Sequence, residues 1–146
     1  MRWHILAIGK PKLSFAAAGI EEYAGRLKPY AAVKLDFLKS GTRAQESALL
    51  LERSAGMFRI VLDERGEHLA SRVLAAKLGH WEQRSVKTVA VIIGGADGHT
   101  EQMRGAADWL WSLSALTLQH ELALLITLEQ IYRGYTIKAG LPYHRE

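Results

Sequence analysis

The apolar positions of this chain fall into short runs separated by stretches of helical spacing, in a regular order. Trp3–Ile8 is a nearly unbroken apolar run that stops at Gly9-Lys10-Pro11, the pattern of a buried strand. Phe15 to about Leu27 predicts a helix, with Ser14 as its N-cap and Pro29 beyond its end. Val33–Leu38 alternates, setting Val33, Leu35 and Phe37 on one side of a half-buried strand. Thr42 caps a helix to about Ser54, with Leu49, Leu50 and Arg53 at helical spacing. Phe58–Leu62 predicts a third strand that runs into Asp63-Glu64-Arg65-Gly66, and Leu69–Arg84 a helix presenting Leu69, Val73, Ala76 and His80 on one face. The most apolar strand follows at Val86–Ile93 and empties into Gly94-Gly95-Ala96-Asp97-Gly98. A short helix around Thr100–Ala107, a strand at Trp109–Leu113, a long helix from His120 to about Tyr135 and a short tail complete the chain.

Strands that alternate with crossover helices predict an α/β fold: a mainly parallel sheet with helices on both faces. No linker, repeat or low-complexity segment interrupts the pattern, so residues 1–146 read as one domain, long enough to bury a core without staples. In open sheets of this kind ligands bind at the carboxyl ends of the strands. The strand ends at Leu62, Gly94 and Leu113 are therefore the first place to look for a site.

Composition narrows the picture. With 49% hydrophobic and 23% charged residues the chain is globular in character. The absence of cysteine excludes disulfides and thiolate metal sites, and the histidines show no metal-ligand spacing, so no metal is expected. The opening Met1–Lys10 has too short an apolar core for a secretory leader, and no run approaches the roughly 18 apolar residues of a membrane span. A cytoplasmic protein without membrane contact is the expectation. A net charge of +4 tilts towards a polyanionic partner. The 19 basic residues are interleaved with 15 acidic ones and not clustered, so charge leaves nucleic-acid contact open.

Four stretches carry candidate chemistry. Gly94-Gly95-x-x-Gly98 lacks the G-x-G-x-x-G of a dinucleotide site and the Gly-Lys-Ser/Thr of a P-loop. It reads either as a plain strand-to-helix turn or as a close backbone approach to a ligand. A glycine pocket without a lysine suits an adenosine compound such as S-adenosylmethionine better than ATP or NAD. Ser112–Leu118 mixes small hydroxyls with leucines; it is a helix-capping loop or an apolar slot whose backbone groups meet an adenine edge. The helix His120–Tyr135 is apolar on more than one face, which points to a homodimer interface. The tail Leu141-Pro142-Tyr143-His144-Arg145-Glu146 is either a frayed end or an RNA-binding element, since tyrosine stacks on bases, arginine pairs with phosphate and an imidazole ordinarily titrates near neutrality. His4, His68, His80 and His99 read as ordinary imidazoles, His120 as an exception beside the pocket, and no hydrolytic triad is evident.

Taken together, Ile92–Gly98, Trp111–His120, Glu129-Gln130-Ile131-Tyr132-Arg133 and Pro142–Glu146, with weaker likeness at Ile8-Gly9-Lys10 and Glu22-Tyr23, resemble the bacterial SPOUT-class methyltransferases that methylate N3 of a pseudouridine in large-subunit (23S) rRNA. The resemblance implies a deep trefoil knot in the C-terminal part, which general topology would argue against. It implies S-adenosylmethionine held by Leu62, Gly94, Gly95, Leu113, Ser114, Ala115, Leu116, Thr117 and Leu118. It further implies a homodimer acting on the ribosome, whose tail completes the partner's site with Tyr143, His144 and Arg145 beside Arg133. In that setting Arg145 and Arg133 would stabilise the imide anion or hold phosphate, and His144, or failing it His120, would accept the proton. Gln119 stands where that family usually has proline, so a looser loop is expected. Two rival readings are a non-catalytic ribosome-binding module of the same fold and a related enzyme acting on tRNA or a ribose hydroxyl.

Overall fold

The computed structural model describes residues 1–145; Glu146, the end of the tail motif, lies outside them. The elements are β1 (Arg2–Ile8), α1 (Ser14–Leu27), β2 (Ala32–Leu38), α2 (Arg43–Arg53), β3 (Phe58–Glu67), α3 (Ser71–Gln83), β4 (Thr88–Ile93), α4 (Glu101–Gly105), β5 (Trp109–Trp111) and α5 (His120–Lys138). The five strands form one sheet in the order β2-β1-β4-β3-β5, and every pairing is parallel. All strand carboxyl ends therefore share one edge.

Strand residues alternate between two cores, as the two-residue period of a strand requires. Trp3, Ile5, Ile60, Leu62, Val89, Val91 and Ile93 pack with α1, α3 and α5. Leu6, Ile8, Val61, Ala90 and Ile92 pack with Leu50 of α2 and Met103 of α4 on the other face. Helices thus cover both faces as the alternation predicts.

Several boundaries and faces differ from the sequence expectation. Ser14 is the first residue of α1 and not its cap; Leu13 holds the cap position and offers no side-chain bond. Glu121 substitutes from across the fold, its Oε1 accepting from the backbone N–H groups of Lys12 at 2.7 Å and Leu13 at 2.9 Å. Thr42 does cap α2, in a reciprocal capping box with Gln45. The buried face of α3 is Leu74, Ala75, Leu78 and Trp81, while Val73 is 47% exposed. Two overlapping stripes fit the helical period there, and the one carrying the larger surface, with Trp81, won the core. Strand β3 runs on to Glu67 through an irregularity that shifts its register on β5, so that both Leu62 and Glu67 pair with Trp111. A methyl group on Gly66 would lie 2.6 Å from Leu110 backbone carbon, so only glycine permits that approach. Strand β5 ends at Trp111, leaving Leu113 in the loop.

The two apolar flanks of α5 are occupied within the chain. Gly19 of α1 lets Leu125 in so closely that a methyl group there would meet Cδ1 at 2.8 Å. Gly134 does the same for Leu78 of α3, at 2.6 Å. The two-sided apolar pattern is thereby explained by α1 and α3. Among the described residues no helix is long and apolar enough to cross a membrane.

Candidate functional site

A cleft of about 540 Å³ opens at the carboxyl ends of β3, β4 and β5. Leu62, Gly94, Gly95, Leu113, Ser114, Leu116, Thr117, Leu118 and His120 line it. Ala115 does not; it is exposed on the outer side of the loop. Two strand ends and a glycine turn do converge on one pocket, with β3 as a third wall.

The floor is built from residues that the sequence left as ordinary. His99 is 5% exposed, and its ring packs under the glycine turn: a methyl group on Gly94 would meet His99 Cε1 at 3.0 Å. Burial holds this imidazole below its ordinary pKa, opposed by Asp63 and by hydrogen bonding to the Leu62 backbone. Its Nε2 has no hydrogen-bond partner among the described residues. Arg104 donates to the His99 carbonyl at 2.8 Å and faces Asp63 at 3.5 Å, tying α4 to the end of β3. Thr100 caps α4 and its hydroxyl meets Ser47 of α2 at 2.7 Å. On the far side of the turn, the buried Glu46 carboxylate lies so near that a methyl group on Gly95 would come within 3.0 Å of Oε1. Both glycines are thus favoured by close packing behind them, since a side chain there would push His99 or Glu46 aside.

The opposite wall is the Ser112–Leu118 loop. Ser112 Oγ donates to the Ser114 carbonyl and Ser114 Oγ accepts from Leu116 N–H, each at 3.0 Å, so the hydroxyls shape the turn. Gln119 then caps α5, its Oε1 accepting from Glu121 N–H at 2.8 Å and Leu122 N–H at 3.1 Å. The glutamine fastens the loop end by a side-chain bond, in place of the looseness expected there.

The residue set fits an adenosyl amino acid. One wall offers small side chains and backbone groups; the other carries Asp63, Glu64, Asp97, Arg43, Arg65 and Arg104, both signs needed for an amino-acid end. Among the described residues no group of three or more His, Cys, Asp or Glu is placed to hold a metal.

The tail lies elsewhere, packed on α5 and α1 of its own chain. Tyr143 Oη lies 2.9 Å from Tyr23 Oη, and its ring meets Tyr132 edge-on at 4.8 Å. Arg133 stacks over Tyr143 at 4.8 Å, and its guanidinium is tied to Glu129 by contacts of 3.0 to 3.3 Å. Glu129 accordingly raises the Arg133 pKa, and burial raises that of the Tyr143 phenol. Arg133 Nη1 also lies 3.1 Å from His144 Nδ1. Arg145 is exposed. Ten residues of helix separate Ala123, at the cleft, from Arg133, about 15 Å at the standard rise. The structure therefore gathers Tyr143, His144 and Arg133 in one cluster and His120 with the cofactor-binding set in another. Sequence reading gave no role to His99, Asp63, Arg104, Tyr23 or Glu129, although Tyr23 and Glu129 lie in stretches that carry the family resemblance. Asp63 had a signal, as the residue after a strand end, and Glu129 another, four residues before Arg133. Nothing local marked His99.

A family model described as "Predicted SPOUT methyltransferase" matches residues 1–144. The chain is 47% identical over 145 residues to the ribosomal RNA large subunit methyltransferase H of Thermus thermophilus, covering 99% of both chains. It is 43% identical to that of Deinococcus deserti, covering 99% of this chain and all of the relative. Its backbone is similar to the tRNA (m1G37) methyltransferase of Aquifex aeolicus, with a TM-score of 0.56 at 13% identity over 91% of this chain and 70% of that one, a likeness of fold. Matched along its length by the family model and by these relatives, the chain belongs to the SPOUT methyltransferase family, alongside the ribosomal RNA large subunit methyltransferases H.

Proposed function

We propose that this protein is an S-adenosylmethionine-dependent methyltransferase that methylates N3 of a pseudouridine in 23S rRNA of the assembled ribosome. The observation that carries this reading is the cleft at the ends of β3, β4 and β5, walled by Gly94-Gly95 and by Leu113, Ser114, Leu116, Thr117 and Leu118, in a chain similar throughout to large-subunit rRNA methyltransferases. When bound, S-adenosylmethionine supplies an electrophilic methyl group on sulfur. The protein's part is to aim the lone pair of an imide nitrogen at it and to ease loss of the N3 proton. Backbone groups of Ser112–Leu118 hold the adenine edge, and Leu62 and the Gly94-Gly95 backbone flank the rest of the donor. His144 of the tail, or failing it His120, which lines the cleft, takes the proton, a role worth about 10²–10⁴-fold in rate. Arg145, exposed in the tail, meets RNA phosphate or the developing anion.

The protein acts as a homodimer in which each tail serves the other subunit's cleft. Two observations support this. The tail cluster lies about 15 Å along α5 from Ala123 at the cleft, and Phe15, Leu116 and Ile126 are exposed apolar side chains, at 60%, 74% and 37%. We further propose that the chain is knotted, the segment after β5 passing through the loop that the end of β3 makes around it. The match to the SPOUT methyltransferase family over residues 1–144 supports that reading.

Calorimetry with S-adenosylmethionine and S-adenosylhomocysteine, followed by mass spectrometry of rRNA nucleosides from cells lacking the protein, tests the reading. Binding together with loss of N3-methylpseudouridine is expected. No binding would favour a ribosome-binding module without catalysis, and a missing tRNA or ribose methyl would favour the other enzyme class.

A further inference from the structure

A second cavity, of about 280 Å³, adjoins the cleft: Trp111 and Leu113 line both. Its other walls include Leu69 and Ser71, where the chain enters α3, and Ile126 and Gln130 of α5. These two helix residues follow Ala123 of the cleft by three and seven positions, a rise of about 4.5 and 10.5 Å. Trp111 is fixed by stacking on Trp109 at 5.0 Å, and with Leu69, Leu113 and Ile126 it makes the cavity largely apolar. The polar groups among these walls are the Ser71 hydroxyl and the Gln130 carboxamide, and the carboxamide is oriented. Its Nε2 donates to Glu129 Oε1 at 3.0 Å, and a carboxylate only accepts, so the nitrogen must lie on that side. Its Oε1 then accepts from Ser71 Oγ at 2.6 Å. Glu129 is in turn held by Arg133 Nε at 3.0 Å. Among the described residues the amide makes no other side-chain hydrogen bond, so one hydrogen on Nε2 and one lone pair on Oε1 remain, side by side.

An apolar slot with one aromatic wall and a few hydrogen-bonding groups is what an unstacked base requires. A donor beside an acceptor fits a base edge that offers the reverse pair. In pseudouridine the ring is joined to ribose through carbon, so N1 keeps its hydrogen, next to the C2 carbonyl. Uridine has a C–H at that place, next to its C4 carbonyl. A carboxamide can therefore take both N1–H and C2=O of pseudouridine but only the carbonyl of uridine. The target N3, on the other side of C2, stays free to face the neighbouring cleft. We propose that the second cavity seats the target base and that Gln130 distinguishes pseudouridine from uridine, accepting from N1–H through Oε1 and donating to the C2 carbonyl through Nε2. Glu129 and Ser71 are the positioning residues that hold the amide. Facing a C–H, the amide oxygen would be covered without a donor, and a site built to bond a substrate N–H rejects an analogue lacking it for that reason. This selection rests on the proposed rRNA methylation, which supplies the base.

The test compares single-turnover methylation of two ribosome preparations from cells lacking this protein. One carries pseudouridine at the target; the other comes from cells that also lack the pseudouridine synthase for that site, so that uridine stands there. The unaltered full-length protein should prefer pseudouridine. In Gln130→Met the ratio of the two rates should fall at least about tenfold, chiefly through loss on pseudouridine. Ser71→Ala, which frees the amide oxygen, should lower the same ratio by a smaller factor. Affinity for S-adenosylhomocysteine and sedimenting mass should match the unaltered protein in both variants. Equal rates on the two bases in the unaltered protein, an unchanged ratio in the variants, or equal losses on both bases would each overturn the assignment, since a merely structural role moves both rates together. A smaller sedimenting mass in Gln130→Met overturns it too and makes the cavity part of a subunit contact. If the unaltered protein makes no N3-methylated product on either preparation, the functional reading itself has failed; methylation with an unchanged ratio removes only the role of Gln130.

Discussion

At the scale of single residues, the site depends on side chains packed behind the cleft as much as on those facing it. Gly94 is backed by the buried His99 ring, so Gly94→Ala must displace either the turn or the imidazole. Titration calorimetry should then find S-adenosylhomocysteine bound at least about tenfold more weakly, a penalty near 1.4 kcal/mol. His99 also makes stability depend on pH in a definite direction. Burial lowers its native pKa below the ordinary 6.5, so in acid the unfolded chain takes up a proton that the native site resists. This share of stability is intact above pH 6.5 and is lost as pH falls from there towards the native value. Urea unfolding at pH 7 and pH 5.5 should show a smaller decline for His99→Gln than for the unaltered protein, since glutamine does not titrate in that window. An equal decline in both would assign the effect to other groups.

At the scale of elements, the long helix α5 organises both halves of the site. Its N-terminus is fastened by Gln119, and Glu121 in its first turn reaches back to the chain entering α1. Removing the cap with Gln119→Ala should cost about 1 kcal/mol in urea unfolding and weaken donor binding through the adjoining loop. A loss of stability with unchanged binding would separate the cap from the pocket. The far end of α5 carries Glu129 and Arg133, and with them the tail. One rigid helix thus spans the donor cleft and the cluster proposed to meet RNA.

At the scale of the whole molecule, the decisive question is which cleft each tail serves. In the proposed symmetric dimer, a tail that reaches across one way reaches across the other, so two tails would meet two clefts in trans. Mixing subunits altered only in the cleft (Gly94→Trp) with subunits altered only in the tail (His144→Ala) tests this directly. In trans, the mixed dimer regains one good cleft beside one good tail, and about half of the wild-type rate per dimer should return. Each parent dimer should stay inactive or nearly so. No recovery in a verified mixed dimer would require the tail to act on its own subunit. Sedimentation equilibrium at micromolar concentration should give the mass of two chains, and a monomer there would remove the shared site altogether.

The strand runs, Thr42 as a cap, the parallel sheet covered on both faces and the pocket at Leu62, Gly94 and Leu113–Leu118 were legible in the chain, because each follows from local spacing and from where strand ends must lie. The family resemblance on the glycine turn, the Trp111–His120 stretch and the tail was legible as well, and the match over residues 1–144 bears it out. Spacing could not choose between two stripes on α3, nor see the register shift by which Leu62 and Glu67 of β3 both pair with Trp111, since both depend on what packs opposite. Nor could it distinguish His99 from the other histidines. Its burial, its place under Gly94 and its link to Leu62 come from strands and turns brought together at one sheet edge. The contact of Arg133 with His144 belongs to the same class: the two lie eleven residues apart in sequence and 3.1 Å apart in space, brought together by the packing of the tail on α5.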